Sequence, residues 1–295
     1  MFRVTIDAFS GRPNPAYVIQ GEEARDLFRE IPKAAISEAG RFDGLGFRGV
    51  IVEALTDDTT DAGIDLPYRF VLGGGAAADE DAALEVAQRL IRGLADHEVI
   101  GPTAPSEDLI SYLVELARRR ASDFRTYADS RPAPPEPVAR AVTCWIERSK
   151  FNPGFWNGAD VVARNNCYNY ASNWRTNTFA QPGRGAGQMY TGLACPEVTK
   201  AALADGCHHR FDCFPDSEKA RRLVALVMAP GYDYHWYRIH TVAEGFWGHK
   251  PGGTPARNTD NSGNLITNPE TCDRGPYTQF CGYFYTCNTQ AHRIN

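Results

Sequence analysis

The sequence predicts an α+β fold in two domains, and three features of the chain support this prediction. Apolar residues alternate with polar ones at Phe2, Val4 and Ile6, as in a strand with one buried face. Between residues 83 and 94, apolar residues recur at the spacing of an amphipathic helix. All eight cysteines lie after residue 143, so the composition changes within the chain. A chain of 295 residues is long enough for two domains with separate cores.

The charge changes at the same point in the chain. Residues 1–143 carry 16 basic and 24 acidic side chains, whereas residues 144–295 carry 15 and 12, and the whole chain has a net charge of -5. The intervening run, residues 130–137, contains four prolines, which cannot continue a helix and favour extended backbone. We therefore predict an N-terminal mixed α/β domain with a binding or positioning role at 1–130, a Pro-rich linker at 131–139 and a Cys-rich domain at 140–295.

In the N-terminal domain, the pattern alternates between strands and helices. A turn cluster at 10–15 follows the first strand, and a turn rigidified by proline is favoured over recognition of a ligand by Arg12. Ser106 is the expected N-cap of the last helix. The other predicted elements are strands at 50–55 and 68–72 and helices at 22–35, 79–94 and 106–120.

In the C-terminal domain, we predict a short helix followed by a sheet. Either Asn165 or Asn166 can serve as the N-cap of the helix, which then begins at about Cys167. The predicted strands cover residues 223–228, 233–239, 246–250 and 282–286.

Cys167 is the strongest candidate for a functional residue. At the start of a helix, the unpaired backbone N–H groups and the helix dipole lower the pKa of a thiol. The thiolate is the nucleophilic form of cysteine, and the same N–H groups can stabilise an oxyanion. The position of Cys167 therefore favours a role as a nucleophile.

Two histidines follow at the beginnings of successive predicted strands. If these strands pair, His235 and His249 lie at neighbouring positions on one sheet. This arrangement predicts a relay from Cys167 to His235 to His249. In it, His249 holds the ring of His235 in one tautomer and orientation.

This order of residues resembles the papain-like cysteine hydrolases of the NlpC type. The resemblance covers residues 140–290 and implies a papain-like α+β domain with an antiparallel sheet. It implies Cys167 as nucleophile, His235 as general base and His249 as orienting residue. Members of that family usually have an Asp-Cys-Ser-Gly run at the nucleophile, where this chain has Asn166-Cys167-Tyr168-Asn169. The substrate class therefore stays open.

We accordingly expect a cysteine-dependent hydrolase or acyltransferase that acts on an amide bond of a peptide or glycopeptide, without a cofactor or metal. Asp260 is a fallback orienting residue if His249 is the base. The net charge argues against a nucleic-acid partner, and no run of 18 apolar residues predicts a membrane span. The residues expected to contact the substrate are Asn166, Tyr168, Trp236 and Trp247.

The cysteine count supports a second hypothesis, a non-enzymatic, disulfide-stabilised binding or structural module. A bridge from Cys144 to Cys167 would exclude the nucleophile, whereas Cys144 as a buried thiol would leave Cys167 unpaired. The cysteine content suggests an oxidising or extracellular destination, although the N-terminus lacks the pattern of a secretory signal. The expected bridges are Cys207–Cys213, Cys281–Cys287 and Cys195–Cys272.

A metal-binding protein is the third hypothesis. One possible ligand set is Cys207, His208, His209 and Cys213, although its spacing matches no common zinc motif. Another set is His235, His240 and His249. Around Asp260 the sequence resembles part of a calcium loop but lacks its terminal glutamate, so a turn is predicted there.

Overall fold

The computed structural model divides the chain into two units. The N-terminal unit comprises Met1–Ala8 and Pro13–Asp123, and the C-terminal unit comprises Phe9–Arg12 and Phe124–Asn295. Each unit combines helices with an antiparallel sheet, which confirms the α+β class. The structure describes residues 1–38, 42–55, 66–102, 105–119, 149–209, 220–240, 245–290 and 293–295. The predicted linker at 131–139 and the cysteines at 144 and 213 lie outside these residues.

The described residues of the N-terminal unit form the strands β1 (Phe2–Asp7), β2 (Ala16–Ile19), β3 (Gly49–Ala54) and β4 (Arg69–Leu72). They pair into an antiparallel sheet in the order β2-β1-β3-β4. Phe2, Val4 and Ile6 are all buried, as their alternation with polar residues predicts. Strand β2 was not predicted, because it is short and three of its four residues are buried, which leaves no alternation.

The described residues of the N-terminal unit also form three α-helices: α1 (Gly21–Arg29), α2 (Glu80–Arg92) and α3 (Glu107–Arg118). Asp79 and Ser106 are the N-caps of α2 and α3, and each side chain accepts a hydrogen bond from a backbone N–H of the first turn. The helix predicted over 22–35 is interrupted, because Pro32 cannot continue it. A 3-10 turn at Lys33–Ala35 takes its place.

A buried polar cluster holds together the two points where the chain leaves and re-enters the N-terminal unit. The Arg48 guanidinium lies 2.6 Å from Asp7 Oδ1. Asn14 Nδ2 donates to the same oxygen over 2.8 Å, and Asn14 Oδ1 accepts from Ala8 N–H over 3.1 Å. The chain just before Phe9 is therefore tied to the chain just after Arg12.

The described strands of the C-terminal unit are β5 (His208–His209), β6 (Arg222–Ala229), β7 (Asp233–His240), β8 (Phe246–His249) and β9 (Gln279–Thr286). They form an antiparallel sheet in the order β5-β9-β6-β7-β8. The described helices of this unit are α4 (Gly154–Asn157), α5 (Ala159–Val162), α6 (Cys167–Ser172) and α7 (Cys195–Ala204). Helix α6 packs against β7. None of the described helices in either unit has the length and apolar character needed to cross a membrane.

A disulfide joins Cys195, at the start of α7, to Cys281 in β9. The predicted Cys195–Cys272 and Cys281–Cys287 bridges are therefore wrong. Cys281 and Cys287 were expected to close a loop, but β9 is continuous through Thr286, and six extended residues span about 20 Å. That distance is far beyond the reach of a disulfide.

Four other cysteines are buried thiols: Cys167, Cys207, Cys272 and Cys287. The thiol at Cys207 excludes the predicted bridge to Cys213, and the thiol at Cys167 excludes a bridge to Cys144. Cys167 is therefore not part of a disulfide, which is one condition of the nucleophile hypothesis.

Candidate functional site

Helix α6 begins at Cys167 because Asn166 caps it. Asn166 Oδ1 accepts hydrogen bonds from the N–H groups of Tyr168 and Asn169, each over 3.1 Å. The Asn169 side chain bonds back to Asn166 N–H, which completes a capping box. Lys250 Nζ donates to the carbonyls of Val162 and Asn165, which fixes the chain that leads into the helix.

The Cys167 thiol points into the core of the C-terminal unit. Its exposed fraction is 0%, and its sulfur lies 4.0 Å from the Tyr234 carbonyl oxygen. Burial raises the pKa of the thiol well above its usual value, and the nearby Asp233 raises it further. Hydrogen bonds from Trp236 N–H and the Ser10 side chain oppose this shift without reversing it. Cys167 is therefore a protonated thiol in this structure.

His235 and His249 are hydrogen-bonded, with 2.9 Å between His235 Nε2 and His249 Nδ1. Their contact follows from the pairing of β7 with β8, in which Tyr237 lies opposite His249. His249 Nε2 lies 2.9 Å from the Thr259 carbonyl, which can only accept, so this nitrogen carries the proton. In the neutral ring, His249 Nδ1 is then the acceptor, and His235 Nε2 is the donor.

Burial, followed by the positive charge of Arg257, lowers the pKa of His249 to about 3. Arg257 Nε also lies 3.3 Å from His249 Nε2, but the shorter contact to the Thr259 carbonyl takes the ring proton, so we assign Arg257 an electrostatic effect only. His249 is thus neutral, which agrees with its assignment as an acceptor toward His235.

The other ring nitrogen of His235 faces Ser10. Ser10 Oγ lies 2.5 Å from His235 Nδ1, which is the acceptor nitrogen of the neutral ring, so the hydroxyl shares its single proton between this nitrogen and the Cys167 sulfur. Since the Ser10 side chain also interacts with the Cys167 sulfur, it lies between the thiol and the imidazole. The structure therefore joins the three residues of the predicted relay, but with a serine hydroxyl between the first two.

The segment Phe9–Arg12, which carries Ser10, is bound through its backbone. The carboxylate of Asp233 accepts hydrogen bonds from three successive N–H groups, those of Ser10 (2.5 Å), Gly11 (3.2 Å) and Arg12 (3.1 Å). The Tyr277 hydroxyl donates to the same carboxylate over 2.5 Å. Burial raises the pKa of Asp233, and these donors act in the opposite direction.

The Gly11 carbonyl lies in a cradle of hydrogen-bond donors. Asn166 Nδ2 donates to it over 2.7 Å and Gln181 Nε2 over 2.8 Å. The Tyr234 hydroxyl lies 3.1 Å from this carbonyl and 3.0 Å from Gln181 Oε1, so it shares its single proton between them. Two side-chain amides and a shared hydroxyl therefore converge on one carbonyl, beside the start of α6.

The sequence did not predict a role in this site for four of its residues: Ser10, Gly11, Gln181 and Asp233. The turn cluster at 10–15 was the only local signal, and a turn explains it fully. Contacts between residues more than 200 positions apart leave no periodic pattern in a single sequence.

The residues predicted to bind substrate have different environments. Asn166 contacts the bound segment directly. Tyr168 and Trp236 lie in the core with 0% exposure, and the Tyr168 hydroxyl donates to Asp205. Trp247 lies beside Tyr283, with 5.7 Å between ring centroids.

Asp260, the fallback orienting residue, organises its own loop. Its carboxylate accepts hydrogen bonds from the backbone N–H groups of Ser262, Asn264 and Asp273. This is turn chemistry, as the sequence predicts.

The histidines do not share one metal site. His240 belongs to a separate network, in which its ring nitrogens contact the Tyr170 hydroxyl (2.6 Å) and the Ser149 carbonyl (2.9 Å). Over the described ranges, no group of three or more His, Cys, Asp or Glu side chains is placed to hold a metal ion.

Acid is expected to destabilise the C-terminal unit through His249. The folded state keeps this ring neutral down to about pH 3, whereas the unfolded chain takes up a proton near 6.5. The contribution of His249 is therefore complete above pH 6.5 and decreases as the pH falls toward 3. Urea unfolding followed by tryptophan fluorescence measures this unit, because all five tryptophans lie after residue 144.

In His249→Gln, we expect the pH dependence between 6.5 and 4 to be shallower than in the wild type by about 1.4 kcal/mol per pH unit. The comparison isolates His249 from the buried carboxyls, which titrate in both proteins. Equal slopes for the two proteins would contradict the neutral-ring assignment.

Part of the chain is similar to a known protein. The chain is 49% identical over 135 residues to insoluble matrix shell protein 1 of Ruditapes philippinarum. The matched residues make up 46% of this chain and 88% of that protein. No family model matches the chain, and no solved structure matches it.

Proposed function

The chain belongs to the family of insoluble matrix shell protein 1, and on this premise we propose that it is a structural protein whose C-terminal unit is a disulfide-stabilised module. In this function, the residues around Cys167 hold the unit together and do no chemistry. The name of the relative places that protein in an insoluble matrix, and we propose the same setting for this chain.

One observation carries the proposal: the thiol and both imidazoles have 0% exposure, and their polar atoms are used internally. A working nucleophile needs a substrate within bonding distance and a base that can take its proton. Here the pKa of Cys167 is raised by burial, and Ser10 occupies the position beside His235. Such a fully bonded polar network rigidifies a core.

The disulfide fits the same role. It links two elements that are 86 residues apart in the chain, and such links persist in oxidising environments. We propose an oxidising setting of this kind for the matrix.

A second candidate function is the cysteine-dependent hydrolase or acyltransferase, and the donors on the Gly11 carbonyl favour it. Donors that converge on a carbonyl oxygen beside a cysteine are the components of an oxyanion hole. In that reaction the sulfur of Cys167 would bond to the carbonyl carbon of a peptide or glycopeptide, and the C–N bond would break. The amine would leave with the proton that His235 took from the thiol, and water or another amine would then cleave the thioester.

Alkylation of the native protein distinguishes the two functions. We treat the intact chain with iodoacetamide without denaturant and measure labelling of Cys167 by peptide mass spectrometry. If the structural function holds, Cys167 is labelled only as fast as the C-terminal unit unfolds. Protein unfolded in urea provides the positive control, and Cys167→Ala identifies the labelled peptide.

Rapid labelling of Cys167 in the folded protein that slows in His235→Gln would refute the structural proposal. The same result would support the hydrolase, since it requires a reactive thiolate sustained by the imidazole.

A further inference from the structure

We propose that the C-terminal unit contains a peptide-binding site for a bent Ser-Gly segment, and that Phe9–Arg12 occupies this site as an internal ligand. The inference goes beyond both candidate functions, because a peptide can bind this site whether or not Cys167 reacts.

The site recognises main-chain groups on both sides of the segment. Asp233 accepts the three successive N–H groups, and Asn166 and Gln181 donate to the Gly11 carbonyl. The site therefore offers an acceptor to the backbone N–H groups and donors to the backbone carbonyl. This pattern is typical of a receptor that recognises peptide backbone.

The side chains of Asn166 and Gln181 are held in place by contacts outside the Phe9–Arg12 segment. Asn166 is oriented because its oxygen caps α6, and its amide also donates to the Ala180 carbonyl. Gln181 is oriented because its oxygen accepts a hydrogen bond from the Tyr190 hydroxyl over 2.8 Å. A site whose groups are held by other parts of the unit is preorganised for its ligand.

Two side chains define the class of peptide. A Cβ atom on Gly11 would lie 2.4 Å from a ring carbon of Tyr234, so the residue in the cradle must be glycine. Before it, the pocket between Cys167 and His235 accepts a small hydroxyl side chain, whose oxygen lies 2.5 Å from the imidazole. The ligand class is therefore a peptide in which a small hydroxyl residue precedes glycine.

Arg12 holds the segment from outside the cradle. Its guanidinium donates to the Tyr232 carbonyl over 3.0 Å and lies 4.8 Å from the centre of the Phe9 ring. Substitution of Arg12 should weaken the bound segment and leave the donors and acceptors of the site in place.

The test uses a fluorescent peptide with the sequence of residues 7–14 and the full-length protein. In Gly11→Ala the internal segment clashes with Tyr234 and the site is vacated, so we expect the peptide to bind at least tenfold more tightly than to the wild type. The matched control peptide carries Gly11→Ala itself and should not bind measurably to either protein. Fluorescence anisotropy measures both affinities.

Arg12→Ala provides a second route if Gly11→Ala does not fold. We expect it to bind the peptide more tightly than the wild type does, again with no binding of the control peptide. Equal binding of the two peptides, or no gain over the wild type in a folded variant, would overturn the proposal. Peptide binding without labelling of the Cys167 thiol would support the peptide-binding site and refute the hydrolase. The failure of one proposal can therefore be distinguished from the failure of the other.

Discussion

Asp233→Ala is expected to destabilise the C-terminal unit by about 4 kcal/mol or more. The substitution removes the acceptor for four buried donors: three backbone N–H groups and the Tyr277 hydroxyl. A buried donor left without a partner costs about 1–3 kcal/mol, although such costs are not strictly additive. The measurement is urea unfolding followed by tryptophan fluorescence.

Two further variants serve as controls for the expected loss of stability in Asp233→Ala. Asp233→Asn keeps one acceptor oxygen and the size of the side chain, so its loss should be smaller than that of Asp233→Ala. Asp160→Ala changes an exposed carboxylate in the same unit and should stay within about 0.5 kcal/mol of the wild type. A loss at Asp233 no greater than at Asp160 would mean that the segment contributes little to the stability of the unit.

The same carboxylate bears on the interpretation of the whole site. Burial raises the pKa of Asp233, so its charge is costly in the folded state, and the bound N–H groups offset part of that cost. If the segment left the site, the carboxylate would lose three of its donors. Asp233 is therefore the group that couples occupancy of the site to stability.

Local sequence patterns predicted the strands and the helix start that surround the site. The apolar run at 223–228 and the alternation after Asp233 correspond to β6 and β7, and the pairing of β7 with β8 brings His235 to His249. The two candidate N-caps, Asn165 and Asn166, predicted that α6 begins at about Cys167, and the structure shows that Asn166 is the cap. Each of these features depends on residues a few positions apart, which is why one sequence was sufficient.

The presence of the Phe9–Arg12 segment in the site could not be predicted from local patterns. Ser10 reaches His235 across 225 residues, and the charge and cysteine boundaries suggested that the N-terminal 130 residues were separate. The disulfide pattern failed for a related reason. Which cysteines pair depends on the face of β9 that each cysteine occupies and on the packing of α7. The spacing of the cysteines along the chain gives no information about either.

Removal of the Cys195–Cys281 bridge is expected to cost about 4.6 kcal/mol. In the chain-entropy model a cross-link that closes a loop of this length restricts the unfolded chain by about that amount, since the cost of closure grows slowly with loop length. The double variant Cys195→Ala/Cys281→Ala should therefore unfold at a lower urea concentration than the wild type. Changing both cysteines avoids leaving an unpaired thiol that could form new bridges.

Cys272→Ala is the matched control, since it removes a buried thiol from the same unit without opening the bridge. We expect it to lose only the packing of one sulfur, on the order of 1 kcal/mol. If the double variant were as stable as Cys272→Ala, the bridge would contribute little beyond the packing of its sulfurs. A large difference would instead make the bridge a main source of stability in this unit.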